Sequence, residues 1–276
     1  SGLYGKPHKP GARPTKEFIK EWKARWEEIR DKYRPDMAWF DWKWQEPEFR
    51  PYVKEIMADY YNKAEEWGKE VAINNKTIKR PPRFPLEVGD LIEMDYMQID
   101  TISRVFWENP RGIGKSFAYN KNEEPDDYDT TDQLIDEFMD VISKNGNLLL
   151  DVGPKADGTI PEIQRERLLS VGEWLDVNGE AVYGTRPWEI CKEEGIRFTR
   201  KDDAVYAILL DWPGKKVRIG SMSMISSRCP QEIKSVRLLG VDKKLKWTRD
   251  VAGLIVTMPE KKPCKHAFVL KVVLED

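Results

Sequence analysis

The sequence predicts an α/β fold: a partial (β/α)8 TIM-like barrel of about four βα units over residues 1–185, then an antiparallel β-sandwich over 186–276. Two patterns carry this reading. Up to about residue 185, amphipathic helices alternate with short apolar runs, which is how a parallel sheet with helices outside it is written. Beyond that point the runs are short and often alternating, with turn signals such as Pro213-Gly214 and Asp242-Lys243 between them. Four βα units are half of a (β/α)8 barrel and too few to close one.

The elements follow in order. Residues 15–33 carry Phe18, Trp22, Trp26, Ile29 and Tyr33 on one helical face, with Thr15 placed to cap the helix. MAWFDW (37–42) reads as a buried strand. Val53, Ile56, Met57, Tyr60, Ala64 and Trp67 mark a second helix ended by Gly68. VAIN (71–74) is the next strand. The stretch 76–129 is loop-rich, with a strand-like LIEMDYMQI and a glycine-punctuated RGIGKSFAYN. The latter lacks the Gly-x4-Gly-Lys-Ser/Thr spacing of a phosphate loop and reads as a tight turn. Leu134, Phe138, Val141 and Ile142 predict a third helix, stopped at Asn145-Gly146. NLLLDVG (147–153) is nearly all apolar, as strands buried in parallel sheets are. Pro161 opens a fourth helix through Leu168, Val171 and Leu175, closed by Asn178-Gly179. The sandwich strands are IRFTRK, AVYAILLDW, KKVRIGSM, IKSVRLLG, KLKWTRD, GLIVTMP and HAFVLKVVLED.

Composition narrows the chemistry. Lys+Arg number 46 against 48 Asp+Glu, so the balance offers no electrostatic case for a nucleic-acid or membrane partner. No apolar run approaches the roughly 20 residues of a transmembrane helix, and SGLYGKPHKPGARPTK has no leader-like apolar segment. Cys191, Cys229 and Cys264 are odd in number and lack metal-ligand spacing. Together these features predict a reduced, cytoplasmic protein with neither metal nor other cofactor. Only His8 and His266 could serve as a histidine base, and they stand near opposite ends of the chain.

In parallel α/β folds, functional groups collect at the C-terminal ends of strands. Asp41 follows MAWF at such an end, with tryptophans around it. Asn74 and Asn75 end the second strand, Asp95 lies in the third and Asp151 near the end of the fourth. Taken singly, each acid could equally be a solvated loop residue or a helix cap. Tryptophan is as often core filler as a sugar platform. A ring of carboxylates and amides around aromatic side chains nevertheless suits glycoside hydrolysis, which needs two carboxylates and no histidine.

Three linked segments sharpen this. WENPRGIGKSFAYNKNE (107–123), SKNGNLLLDVGPKADGTIP (143–161) and RERLLSVGEWLDVNGEAVYGTRPWE (165–189) resemble, in order and almost position for position, motifs of the glycoside hydrolase family 29 α-L-fucosidases. The resemblance covers residues 1–189 and continues more loosely through the sandwich. It implies a retaining exo-hydrolase that releases L-fucose from a fucosylated oligosaccharide or glycoside. That family's Trp-x-Asp pattern falls on Trp39-Phe40-Asp41, which implies Asp41 as nucleophile and Trp39 as a wall of the fucose site. Its Asn-Asp-Arg-Trp-Gly segment falls on Asn74-Asn75-Lys76-Thr77-Ile78. Lys76 there replaces a sugar-contacting arginine, a point charge in place of a planar fork. The acid/base aligns best with Asp95, with Glu93 the near competitor and Glu108 the more distant one. Trp107 is implied at the substrate, and Asp151, standing for a usual asparagine, is expected to be structural. A preceding barrel half with His-Trp-Gly and His-His-Asp-Gly-Phe segments has no counterpart here. The chain is therefore expected to act with a complementary N-terminal half or as an oligomer. The alternative is a catalytically inactive, fucosidase-derived carbohydrate-binding or scaffold protein.

Overall fold

The computed structural model describes residues 13–41, 44, 46–76, 90–93 and 95–275. His8, Trp42, Thr77 and Ile78, which entered the sequence argument, lie outside them. The chain divides into two compact units, Ser1–Glu93 and Met94–Asp276.

In the first unit, helix α1 (Lys16–Tyr33) opens on Thr15, whose hydroxyl accepts from the Phe18 N–H at 3.2 Å. It closes on Arg34 in the left-handed region. Strand β1 (Met37–Trp39) follows, then α2 (Arg50–Trp67), β2 (Ala72–Lys76) and β3 (Leu91–Glu93). Gly68 takes a φ of +62° to end α2, which any side chain would make costly. The strands run parallel, with Trp39 opposite Asn74 and Lys76 opposite Glu93. One face of this sheet packs on the helices. Ala38 and Ile73 join Ile19, Trp26, Val53, Ile56 and Tyr60 in a common core. Asp90 holds the start of β3 to β2, accepting from the Ile73 N–H at 2.7 Å while its own N–H donates to the Ile73 carbonyl at 2.7 Å.

The face of α1 differs from the one the sequence suggests. Ile19, Trp26 and Arg30 are the buried residues, while Phe18, Ile29 and Tyr33 are exposed. Arg30 tolerates its burial because its guanidinium is paired with Asp31 at 2.8 Å and with Asp59 of α2. On α2, the apolar register matches expectation, with Val53, Ile56, Met57, Tyr60 and Ala64 buried.

In the second unit, parallel strands β4 (Phe106–Gly112) and β5 (Gly146–Asp151) alternate with helices α3 (Thr131–Ser143) and α4 (Glu162–Asn178). β4 departs from the sequence expectation, which puts 106–112 in a loop and gives four parallel strands where the described residues hold five. Pro110 and four polar or glycine positions erase the apolar signal of this strand. Two of its buried polar side chains meet α3 or the turn before it: Asn109 donates to Glu137 at 2.9 Å, and the Arg111 guanidinium pairs with Glu137 and with Asp129 just ahead of the helix. Trp107 lies 1% exposed against Gly146, where an added Cβ would come within 2.4 Å of the indole. The RGIG stretch is the tight turn expected: a Cβ on Gly112 would meet the Ser116 carbonyl oxygen at 2.5 Å. Among the described residues no helix is long and apolar enough to cross a membrane.

From Arg186 onward the strands are antiparallel. β6 (Arg186–Glu193), β7 (Ile196–Lys201), β8 (Ala204–Leu209) and β9 (Lys216–Ile219) come first, then β10 (Ile233–Leu238), β11 (Trp247–Asp250), β12 (Gly253–Thr257) and β13 (Phe268–Leu274). They form a five-stranded sheet, β10-β13-β8-β7-β6, and a three-stranded one, β11-β12-β9. β6 is an edge strand the sequence reading missed, since Pro187 and an irregular register break its alternation. β8 explains the unbroken apolar run AVYAIL. Val205, Ala207 and Leu209 face the inter-sheet core, and Ala204, Tyr206 and Ile208 face α3 and α4.

Two outcomes are expected. Gly146→Ala should overpack the Trp107 site and lower stability by about 1–3 kcal/mol in urea unfolding. On α3, burial, helped by the nearby Asp211 and Asp132 carboxylates, pushes the Asp136 carboxyl up to about 6. Its stabilising share is thus complete below about pH 4 and is lost as pH rises through about 6. Asp136→Asn should raise the melting temperature at pH 7 by about 2–4 °C, for about 1 kcal/mol after solvent screening. At pH 4 the same variant should show no gain.

Candidate active site

Strand alternation decides which side chains of the first unit meet. Ala38 and Ile73 face the helices, so Trp39, Asn74, Lys76 and Glu93 lie on the opposite face at the C-terminal strand ends. Asp41 follows two residues after Trp39, just beyond the strand. It is not buried: its side chain is 62% exposed, so the desolvation cost suggested by the surrounding tryptophans is largely avoided.

Lys76 connects the group. Its ammonium lies 3.4 Å from Asp41 Oδ1, 3.5 Å from Glu93 Oε1 and 4.9 Å from the Trp39 ring centroid. The Lys76 side chain is buried and that of Glu93 wholly so. One cation thus sits between a buried carboxylate and an accessible one, with half of an indole open beside it. This arrangement can hold a polar ligand against the Trp39 face while presenting the Asp41 carboxylate to it.

Of the residues the sequence singled out, the structure brings together Trp39, Asp41, Lys76 and Glu93. Asp95 stands half-buried in the turn after β3 and belongs to the second unit. Glu108 is buried in β4, and burial pushes its carboxyl up. Trp107, implied at the substrate by the resemblance, lies 1% exposed in this chain, and its indole N–H donates to the Lys144 carbonyl at 3.0 Å. Asp151 is exposed at the end of β5. The sequence reading missed the buried Arg111, whose guanidinium also lies 5.6 Å from the Tyr96 ring. A lone arginine ahead of a glycine turn gives no hint that two acids distant in sequence will meet it. Among the described residues no group of three His, Cys, Asp or Glu side chains could hold a metal. The three thiols are free.

Comparison with known proteins identifies the family of the chain. The family model described as Alpha-L-fucosidase matches residues 2–180, and that of the Alpha-L-fucosidase C-terminal domain matches 191–273. A tissue alpha-L-fucosidase of Bos taurus is 33% identical over 246 residues, covering 84% of this chain and 49% of that protein. The alpha-L-fucosidase of Branchiostoma floridae is 30% identical over 263 residues, covering 89% and 55%. The structure of the Thermotoga maritima alpha-fucosidase in complex with a mechanism based inhibitor matches with a TM-score of 0.79 at 36% identity, over 94% of this chain and 57% of that one. The chain spans about half the length of the curated relatives it matches. Its fold, a parallel βα partial barrel followed by antiparallel sheets, is the one these solved fucosidases carry. The chain belongs to the alpha-L-fucosidase family of glycoside hydrolases.

Proposed function

We propose that the chain works as the C-terminal part of a retaining α-L-fucosidase, releasing L-fucose from fucosylated oligosaccharides or glycosides. In this reading it acts with a complementary N-terminal half or is completed by oligomerisation. The observation that carries the proposal is the exposed Asp41 carboxylate beside Trp39 at a strand end, in a chain of this family.

Asp41 attacks the anomeric carbon, forming a glycosyl ester while the C–O bond to the aglycone breaks. The departing oxygen takes its proton from Asp95 or Glu93. The same residue, now a carboxylate, draws a proton from water, and the water oxygen replaces Asp41 with net retention. Accessibility favours Asp95 as this acid, since Glu93 is wholly buried; shared contact with Lys76 favours Glu93. Trp39 packs on the sugar face, and Lys76 offers a donor to a hydroxyl. The second reading, a carbohydrate-binding protein without turnover, draws support from the same lysine. Its ammonium contacts Asp41, and a point charge replaces the bidentate fork.

Turnover of an aryl α-L-fucoside tests the proposal, with and without the part of the Thermotoga maritima alpha-fucosidase that this chain does not cover. Asp41→Asn should lower kcat by on the order of 10³-fold or more. Fucose binding with no turnover in any assembly would decide for the second reading. The acid/base is identified by comparing Asp95→Asn with Glu93→Gln. The true one loses about 10²–10⁴-fold on a poor leaving group, loses far less on a good one, and is rescued by azide. Lys76→Met should cost about 3 kcal/mol of stability, since it removes the ammonium facing the buried Glu93; thermal or urea unfolding checks this directly.

A further inference from the structure

We propose that the antiparallel region carries a saccharide-binding site of its own, in the cavity between the β7–β8 turn, the loop 227–231 and the end of β13. Its ligand is a neutral, hydroxyl-rich mono- or disaccharide unit of a glycan. The inference goes beyond the reading above and uses none of its residues.

The cavity measures about 390 Å³, within the range of roughly 300–1,000 Å³ usual for small-molecule sites. Trp188 of β6, Val205 of β8 and Leu274 of β13 supply apolar lining, with the Trp188 ring seated 5.0 Å from that of Phe198. Glu189, Arg200, Asp202, Asp203, Arg228 and Glu275 line the same space and are all exposed. Elsewhere the chain pairs such groups, Arg30 with Asp31 and Asp59, and Arg111 with Asp129 and Glu137. Among the described residues no ion pair joins Arg200 or Arg228 to any carboxylate. Strong donors and strong acceptors therefore share one cavity without neutralising each other.

The walls are set by contacts of their own. The two-residue turn between β7 and β8 holds Asp202 at a φ of +53°, a conformation that aspartate tolerates better than most residues. The Asp203 carbonyl accepts from the Leu274 N–H at 2.9 Å, which ties this turn to the end of β13. Arg249, with a side chain only 6% exposed, donates to the carbonyls of Gln231 at 2.6 Å and of Cys229, fastening the opposite loop. A site held in place this way loses little entropy when it binds.

The lining selects the class of ligand. An anion would meet four carboxylates against two guanidiniums. A divalent cation lacks its donor set, since among the described residues no group of three His, Cys, Asp or Glu side chains could hold a metal. A hydroxyl both donates and accepts, so a sugar uses guanidiniums and carboxylates side by side, and its C–H surface suits the apolar lining.

The test is an amide chemical-shift titration of the full chain with lactose, N,N′-diacetylchitobiose and mannobiose, with inorganic phosphate and calcium chloride as charged probes. At least one saccharide should give saturable shifts at Trp188, Arg200, Ser227 and Gln231, with a dissociation constant of about 1 mM or tighter. Arg228→Gln and Glu189→Gln should each weaken that binding about tenfold or more, the usual loss for a hydrogen bond to a charged group. Both side chains are exposed, so the melting temperature should stay within about a degree or two. Asp41→Asn should leave these shifts unchanged, which keeps this site separate from the fate of the catalytic reading. The proposal is overturned if no saccharide saturates these amides, if the shifts fall on Trp39 and Lys76 instead, or if both variants bind as the parent does. It is equally overturned if phosphate or calcium saturates the same amides more tightly than every saccharide.

Discussion

The parallel register of β1, β2 and β3 is the constraint on which the candidate site depends. Setting Trp39 opposite Asn74 and Lys76 opposite Glu93 sends alternate side chains to opposite faces. Apolar Ala38 and Ile73 go to the helices, and the polar and aromatic groups go the other way. A slip of one residue would send Lys76 and Glu93 into the helix-side core and Ile73 out of it. The core that buries Ile73, Ile56 and Tyr60 therefore also positions the chemistry. Asp90, tied twice to Ile73, secures that register at the start of β3.

Charge pairing is used differently in the two units. In the first, Lys76 lies between a buried and an exposed carboxylate, with its ammonium 4.9 Å from the Trp39 ring. In the second, Arg111 is spent on structure. Its guanidinium contacts Glu137, Asp129 and, at 2.9 Å, the Gly112 carbonyl, fastening the end of β4 to α3. Arg249 does similar work in the sandwich, donating to the carbonyls of Met222, Gln231, Ser223 and Cys229. A planar fork suits such multiple backbone contacts, whereas the lysine at position 76 offers a compact charge on a flexible stem.

Where local pattern and burial coincide, the elements were legible. The α2 register from Val53 to Ala64 and the sandwich strands from Ile196 onward needed only periodicity. β4 was not legible, because most of its buried residues are polar or glycine, and its Asn109 and Arg111 meet Glu137 of an α3 helix some 20 residues later in the chain. The buried face of α1 differs from the periodic one for a related reason. Its apolar arc is wider than the surface the unit covers, and periodicity cannot say which part of a wide arc is buried. Asp41 was legible as a residue of interest yet not as an exposed one, since β1 ends at Trp39 and releases the chain before the carboxylate.

By itself, the sequence determined the alternation of helices and strands, the change to antiparallel strands after about residue 185, and the family motifs around residues 107–189. These are local patterns, carried by side-chain period, turn residues and ordered strings. Only the tertiary structure decided that Lys76 joins Asp41 to Glu93, that Trp107 belongs to the core, and that β8 is covered on both faces. Those outcomes depend on which distant segments share a face, and strand register, not local sequence, determines that.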